Sequence, residues 1–295
     1  MVQPQAQAPA PVVGAPRLTS ASAALLRQIE IVDDHGDRRA IFIPAEHALR
    51  VSVDGRQLVT LMTLGARPEL LVLGYLCNQG LIDDITEVAS IAVDAELTVA
   101  IVTSRTGAQG VASRIASRIV STDHGEGAVF GDLLSRLSAI KIPPAASARI
   151  SQSTLYRVLE TMRQHGGAIH HAAGSVHTCA LFHGADLLVS VEDVGRHNAL
   201  DTIAGWMVLH GVAGADKSLF TTGRLTSEMV MKCAQSGIPI IVSRNGTSAL
   251  GYEIAARLGM SLFGRAANRR FLCYVGAERF DAEPASGTSS LLDTD

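Results

Sequence analysis

Sulfur and aromatic side chains are scarce in this sequence. Phe, Trp and Tyr together make up 4% of the 295 residues, and the four cysteines are Cys77, Cys179, Cys233 and Cys273. Their spacings resemble neither a disulfide framework nor a CxxC redox or zinc pair. Because each cysteine lies in a mostly apolar stretch, we expect buried thiols in a cytoplasmic protein.

Long apolar runs and an excess of charge of one sign are also missing. No run approaches the ~20 apolar residues that cross a bilayer, and the N-terminus lacks the basic start and apolar region of a secretory signal. The formal net charge is -3, so neither nucleic acid nor a membrane is an expected partner. The histidines match no ligand spacing, even where they cluster, and we predict no metal site. The clustered ones are His165, His170, His171 and His177.

Hydrophobic residues make up 47% of the chain, which is enough for the core of one large domain or of two ordinary domains. Residues 1–25, rich in Pro, Ala and Gln, predict a disordered tail, and residues 283–295 predict a second flexible tail. In the first half, Leu49, Val51 and Val53 alternate with polar residues, which is typical of a half-buried strand. Asp54-Gly55 then predicts a hairpin turn, and residues 69–78 predict a buried helix. Residues 105–148 follow neither the helical nor the strand period of apolar residues. Pro143-Pro144 indicates a linker near a domain boundary at 145/146.

The second half alternates strands with helices of about ten residues. Ser153 is the expected cap of the first helix, which ends at Gly166-Gly167. Further helices are predicted over 198–210, 227–235 and 248–258, and strands over 176–182, 186–191, 218–221, 238–243 and 260–263. This order predicts an α/β fold with a parallel or mixed sheet covered on both faces.

In such a sheet, ligands bind beyond the carboxyl ends of the strands. The loops expected there are polar and span residues 192–198, 222–224, 244–247 and 264–270. Three of them precede a helix, whose free N–H groups favour an anion, and arginine recurs in them beside glycine. The pattern favours a phosphate-rich ligand such as a dinucleotide. The alternative is ordinary turn chemistry, in which Glu192 and Asp193 pair with Arg196, and His197 bonds a backbone carbonyl.

Several strings resemble those of the formate dehydrogenase accessory (FdhD) family. EDVGRHNALD at 192–201 resembles the family signature, and AGSVHTCAL at 173–181 resembles its TGGxHxAAL segment. TTGRLTSEMVMKCAQSGIPIIVSR at 221–244 and EIAARLGMSLFGRAANRRFLCY at 253–274 resemble later segments. The match at 51–82 is looser, and the resemblance covers about residues 45–280.

The resemblance implies a cytidine-deaminase-like αβα domain at 146–282 and a smaller, mainly β (α+β) domain at 26–145. It also implies a role in maturing formate dehydrogenase. Family members accept sulfur as a persulfide from a cysteine desulfurase. They transiently bind the molybdenum bis(molybdopterin guanine dinucleotide) cofactor, which a guanine nucleotide mimics, before its delivery to the formate dehydrogenase catalytic subunit. A homodimer is the default expectation, and the absence of the PCxxC ligand pair argues against a zinc deaminase.

The family's cofactor-binding loop falls near the C-terminus of this chain and its pocket on earlier segments. By position in the motifs, the loop residues are Arg265, Asn268, Arg269 and Arg270, and the pocket residues are Gly174, His177, Asp193, Arg196, His197, Thr222 and Arg224.

The sequence departs from the family at the sulfur-carrying cysteine. Family members have a cysteine loop ahead of the C-terminal domain, where this chain has residues 121–127 with His124 at the position expected for the catalytic cysteine. Imidazole cannot hold a persulfide, and Cys179 or Cys233 could replace the missing thiol only if exposed. The chain is therefore either a sulfur-carrying accessory protein or a paralogue that binds cofactor or apo-enzyme without carrying sulfur. A nucleotide-using hydrolase built on Asp123, His124 and Glu126 is a third hypothesis without a supporting motif.

Overall fold

The computed structural model describes residues 8–105 and 140–283, together with residues 114, 137 and 138. The predicted degenerate cysteine loop at 121–127, with His124, lies outside the described residues, as does most of the second predicted tail. Within the described part of the chain, no helix is both long and apolar enough to span a membrane.

The first half is built on a five-stranded sheet and one helix. Alternation along the strands turns Leu49, Val51 and Val53 inward, where they are fully buried beneath helix α1. The predicted Asp54-Gly55 hairpin turn is confirmed, with both residues at positive φ. The elements are β1 (Arg17–Leu18), β2 (Leu26–Val32), β3 (Arg38–Pro44), β4 (His47–Val53), β5 (Arg56–Thr63), α1 (Pro68–Asn78), β6 (Val88–Val93) and β7 (Val99–Ser104). The sheet order is β1-β6-β7-β4-β5, and β2–β3 forms a separate hairpin.

The second half has three layers around a six-stranded mixed sheet. Its elements are β8 (Ile150–Ser151), α2 (Gln152–His165), α3 (Ala168–Ala173), β9 (His177–His183), β10 (Asp186–Asp193), α4 (Arg196–Leu209), β11 (Lys217–Thr221), α5 (Ser227–Gln235), β12 (Ile240–Ser243), α6 (Ala249–Leu258), β13 (Ser261–Ala267), β14 (Arg270–Val275) and β15 (Phe280–Asp281). The order is β10-β9-β11-β12-β13-β14, with β11, β12 and β13 parallel and antiparallel strands at both edges.

Helices cover both faces of this sheet. Helix α2 packs Leu155, Val158 and Met162 on one face, and α4, α5 and α6 bury their apolar sides on the other. The predicted α/β class, with αβα layers and a smaller β-rich first half, is confirmed. The expected cap Ser153 is wrong, because Ser151 ends β8 in an extended conformation and its hydroxyl accepts the Thr154 N–H.

The predicted disorder of residues 1–25 is corrected for residues 8–25. Strand β1 pairs with β6, and the Val12 N–H donates to the Leu209 carbonyl at 2.9 Å. The buried carboxylate of Glu69 accepts hydrogen bonds from the Thr19 hydroxyl and the Ala21 N–H at 2.7 and 2.8 Å. The composition predicted disorder because it reflects only the apolar content of the segment itself. It does not show that the segment packs on the rest of the protein.

The two halves meet where α1 crosses α4. A Cβ atom on Gly74 would lie 1.7 Å from the Asp201 carbonyl oxygen, and one on Gly205 would lie 2.0 Å from the Leu70 carbonyl oxygen. Both glycines are therefore required by the close approach of the two backbones. Beside the crossing, Lys232 Nζ lies 2.8 Å from the Asp201 carboxylate, which also accepts the Asn78 amide at 2.7 Å.

Candidate functional site

The polar loops converge at one edge of the six-stranded sheet. Strands β10, β11, β12 and β13 all end there, and hydrogen bonds join the loops that follow them. The Thr222 N–H donates to the Thr178 carbonyl, the Asn245 amide to the Thr222 carbonyl at 2.7 Å, and the Arg265 N–H to the Asn245 carbonyl at 2.9 Å. The loops after β11, β12 and β13 and the start of β9 therefore form one continuous rim.

A cavity of about 1230 Å³ opens between this rim and helix α2. Of the predicted residues, Thr222, Asn268 and Arg269 line it. The site list from the sequence missed a second wall, supplied by α2 and α3. Its polar and aromatic members include Tyr156, Arg157, Glu160, Arg163, His170 and His171, and the rest of the lining includes Phe220, Arg244 and Glu283. The spacing of Arg157, Glu160 and Arg163 by three residues, which places them on one helix face, is the signal that could have found this wall.

The cavity carries a surplus of positive charge. Glu160 is bound by Arg163, whose hydrogen bonds hold the pKa of that carboxyl below its usual value. Among the described residues, no carboxylate oxygen lies within 4.0 Å of the Arg157 or Arg244 guanidinium. Two lining arginines are thus left with free charge, which suits a phosphate group.

The turn between β13 and β14 is strained and presents an arginine to the cavity. Three residues here have positive φ values, which residues other than glycine adopt at a cost: Arg265 (50°), Asn268 (48°) and Arg269 (59°). The guanidinium of Arg269 lies 5.4 Å from the centre of the Tyr156 ring, a cation–π distance. Strain of this kind concentrates at ligand-binding turns. Arg270, the next residue, is exposed and does not line the cavity.

A second group of predicted residues lies on the α4 side of the sheet. Burial, followed by the cations of Arg196 and Arg224, lowers the pKa of His177. The stem of Arg196 lies on Gly223, where an added Cβ would come within 2.7 Å of Arg196 Cδ. Thr222 joins this group to the cavity, because its hydroxyl is 3.5 Å from His177 Nδ1. The predicted residues thus form two adjoining groups and not one pocket.

Two nitrogens of this second group are buried without a partner in the described residues: Arg196 Nε and His197 Nδ1. The other ring nitrogen of His197 is 3.5 Å from Glu228. Burial lowers the pKa of His197 to about 4, which outweighs the opposing effect of Glu228. The imidazole is therefore neutral at pH 7, and its Nδ1 can still take part in one hydrogen bond.

Asp193 faces the first half of the protein. One carboxylate oxygen accepts from the Thr63 hydroxyl at 2.5 Å and the Leu64 N–H at 3.1 Å, and the other accepts from the Gly195 N–H and the Asn198 amide. Burial raises its pKa, against the effect of these hydrogen bonds. Asp193 braces the two halves and does not line the cavity. The alternative pairing with Arg196 is also absent from the described contacts, since Glu192 binds the amides of α3 instead.

Three other predicted residues have simpler surroundings. Gly174 ends α3 at φ 61° and ψ -155°, a conformation essentially confined to glycine, and open space surrounds it. Arg224 and Arg265 are exposed at the rim.

All four cysteines lie in the described residues, and none has the character of a nucleophilic thiolate. Burial raises the pKa of Cys77 and of Cys179 to about 12. Burial likewise raises the pKa of Cys233 and Cys273. A thiol with a pKa near 12 has about one thiolate per 10⁵ molecules at pH 7. The prediction that Cys179 and Cys233 are buried is confirmed.

Comparison with known proteins agrees with this architecture. The model of the FdhD/NarQ family matches residues 44–281. The sulfur carrier protein FdhD of Bacillus licheniformis is 30% identical over 237 residues, covering 79% of this chain and 88% of that protein. The sulfur carrier protein FdhD of Bacillus subtilis is 29% identical over 240 residues, with the same coverage. A crystal structure described as that of a formate dehydrogenase accessory protein from Desulfotalea psychrophila superimposes with a TM-score of 0.68 at 25% identity, covering 86% of this chain and 98% of that one. With a family match over most of its length and the same fold, the chain belongs to the FdhD/NarQ family.

Proposed function

We propose that this chain is a cytoplasmic accessory protein for the maturation of formate dehydrogenase, and that it binds the molybdenum bis(molybdopterin guanine dinucleotide) cofactor before insertion. The observation that carries the proposal is the cavity of about 1230 Å³ at the carboxyl edge of the sheet, where Arg157 and Arg244 have no carboxylate partner among the described residues. A cavity larger than the roughly 300–1,000 Å³ of common small-molecule sites suits an extended dinucleotide.

The residues present fit such a group. Arg157, Arg244 and Arg269 offer guanidinium forks for phosphate oxygens, and the ring of Tyr156 offers a face on which a base can stack. Arg196 Nε and His197 Nδ1, which have no partner among the described residues, would offer two further polar contacts to the cofactor. When bound, the cofactor supplies the metal chemistry of the enzyme that receives it, while this chain holds and orients it.

Binding of guanosine diphosphate tests the site, and the β13–β14 turn provides a matched pair of variants. We expect Arg269→Ala to weaken binding about tenfold or more, the effect of losing a charge-assisted hydrogen bond. Arg270→Ala removes the same charge from the adjacent, exposed position and should change the affinity by less than about threefold. Equal effects of the two variants, or no binding by the unaltered chain, would reject the site.

A second candidate function is favoured by the four thiols: the chain holds the cofactor or the apo-enzyme and carries no sulfur. Sulfur carriage, which the relatives' names describe, requires a thiolate that accepts a persulfide. The raised pKa values of all four cysteines argue against direct carriage by any of them.

Formate dehydrogenase activity, in cells lacking their own accessory protein, separates the two functions. If the unaltered chain restores activity, sulfur delivery does not need a thiol at position 124. If only His124→Cys restores it, the chain is a binding relic of a sulfur carrier. Failure of both soluble proteins would reject formate dehydrogenase as the partner.

The partners belong to the same proposal. We expect the formate dehydrogenase catalytic subunit to copurify with this chain, and a cysteine desulfurase to do so if sulfur is carried. A homodimer is the proposed assembly, and the mass in solution by light scattering tests it directly.

A further inference from the structure

Helix α3 forms part of the cavity rim without a core of its own. None of its six residues is buried, although His170 and His171 line the cavity and the helix packs against β3 of the hairpin. A six-residue helix that buries no side chain has little intrinsic stability, because helices this short are marginal in water. Its position therefore depends on what holds its ends.

Both ends of α3 are built for movement. Gly166 and Gly167 precede it, with Gly167 at φ 24°, and Gly174 and Ser175 follow it at φ 61° and 53°. Gly174 has no atom within 4 Å of the place where a Cβ would stand, so no packing requires its glycine. The backbone conformation at position 174 does require glycine. Such freedom of the backbone at both ends is what a hinged segment needs.

Among the described residues, α3 packs against β3, and one side chain outside the helix makes hydrogen bonds to its start. The Glu192 carboxylate accepts hydrogen bonds from the Ile169 N–H at 3.0 Å and the His170 N–H at 2.8 Å. Gly167 lies directly against it, since an added Cβ would come within 1.8 Å of the Glu192 carboxylate oxygen. The carboxylate thus satisfies two of the free N–H groups at the helix start.

We propose that α3 is a lid on the cavity and that Glu192 is the positioning residue that latches it closed. The inference rests on the proposed use of the cavity, because a bulky cofactor must enter and leave past this rim. Opening breaks the two hydrogen bonds that the Ile169 and His170 amides donate to Glu192, separates α3 from β3, and swings α3 about its flanking glycines. Closure brings His170 and His171 back into the cavity wall.

Amide hydrogen exchange on the full chain without nucleotide tests the latch. In the unaltered protein, the amides of α3 should exchange faster than those of α4. In Glu192→Gln, which has one acceptor oxygen for two amides, exchange in residues 168–173 should accelerate about tenfold, with α2 and α4 unchanged. Glu160→Gln is the control, since Glu160 lines the same cavity but binds Arg163. Exchange of α3 as slow as that of α4, or a uniform acceleration in Glu192→Gln, would overturn the proposal.

Nucleotide kinetics test the lid. Guanosine diphosphate should slow exchange in α3, and Glu192→Gln should accelerate association and dissociation by similar factors, leaving the affinity within about threefold. A change in dissociation alone would mean that Glu192 contacts the ligand or shapes the cavity, and would overturn the gating role. If the unaltered chain binds no guanosine diphosphate, the proposed cofactor binding fails, and the exchange of the nucleotide-free protein decides the latch by itself.

Discussion

The cysteines of this chain share an environment that suppresses their reactivity. Cys179 is fully buried, with its thiol 3.3 Å from the Thr221 hydroxyl, and Cys233 is buried beneath the same face of the sheet. In such surroundings the charged thiolate loses the solvation of water, and the nearby cations, Arg196 for Cys179 and Lys232 for Cys233, do not offset this loss, so the neutral thiol is favoured.

We therefore expect slow alkylation of all four thiols by iodoacetamide at pH 7.5 in the folded protein. A pKa near 12 at Cys77 and Cys179 leaves a thiolate fraction about 10³-fold below that of an ordinary cysteine. The same reagent in denaturant should modify four sites rapidly, as mass spectrometry can count. Rapid modification of one cysteine in the folded state would restore it as a candidate sulfur carrier.

His197 makes the protein sensitive to mild acid. Its pKa falls from 6.5 in the unfolded chain to about 4 in the fold, so between these values the unfolded state binds more protons. As far as His197 is concerned, the free energy of unfolding is therefore highest above pH 6.5 and declines as the pH falls towards 4. After allowance for the exposed part of the ring, we expect a loss of about 1–2 kcal/mol from this residue.

Urea unfolding at pH 7 and pH 4 measures this loss, and His197→Gln, which does not titrate, should lack it. The comparison is made between the two proteins, because titrating carboxyl groups contribute equally to both. An identical pH dependence in His197→Gln would show that the pKa of the imidazole is the same in the folded and unfolded states.

Among the elements, the crossing of α1 and α4 sets the distance between the two halves. Gly74 and Gly205 leave each backbone in contact with the other, and no side chain fits between them. The buried Lys232–Asp201 pair and Asn78 lie on the same junction, where loss of Lys232 would leave the Asp201 carboxylate buried without a cation.

Gly205→Ala should lower the free energy of unfolding by about 3 kcal/mol or more, since the added methyl would lie 2.0 Å from a backbone oxygen that cannot rotate away. Chemical denaturation of the two proteins gives the difference. Gly246→Ala is the control, because its Cβ would meet only the Tyr274 hydroxyl, at an ordinary 3.4 Å. A loss below about 1 kcal/mol in Gly205→Ala would mean that the helices separate at little cost.

At the scale of the whole molecule, the signature string at 192–201 mainly joins parts of the fold. Asp193 and Asn198 hold Thr63, Leu64 and the Met62 carbonyl. Asp201 holds Asn78, and Glu192 holds α3. The string therefore couples the β-rich half to the rim of the cavity, and its central residues Arg196 and His197 have side-chain nitrogens without a partner in the described part of the chain.

The N-terminal segment also stabilises the whole molecule. Removing residues 1–22 should lower the free energy of unfolding by about 2–4 kcal/mol, because Glu69 loses both partners and stays buried. Thr19→Val removes only the hydroxyl and should cost about 1–2 kcal/mol. Removal of residues 1–11, which keeps these bonds, should have little effect. If all three variants are as stable as the unaltered protein, the segment behaves as the predicted disordered tail.

Local signals in the sequence were enough to identify most elements. Helix α5 was predicted with its observed bounds, and the strand alternation at Leu49, Val51 and Val53 was confirmed. The β2–β3 hairpin was not predicted in detail, and β1 was missed, because a two-residue strand exists only through its pairing with β6.

The sequence by itself determined the α/β class, the family and the polar loops at the strand ends, because periodicity and motifs are properties of neighbouring residues. Only the tertiary structure decided which loop residues share a cavity. Alternate side chains of a strand point to opposite faces of the sheet, so Phe220 faces α2 while Thr221 faces α4. The spacing of residues along the sequence does not show which helix packs on either face. The α2 wall, the turning of Asp193 towards Thr63 and the hold of Glu192 on α3 all depend on contacts between residues distant in sequence, and strand order and helix packing alone bring these together.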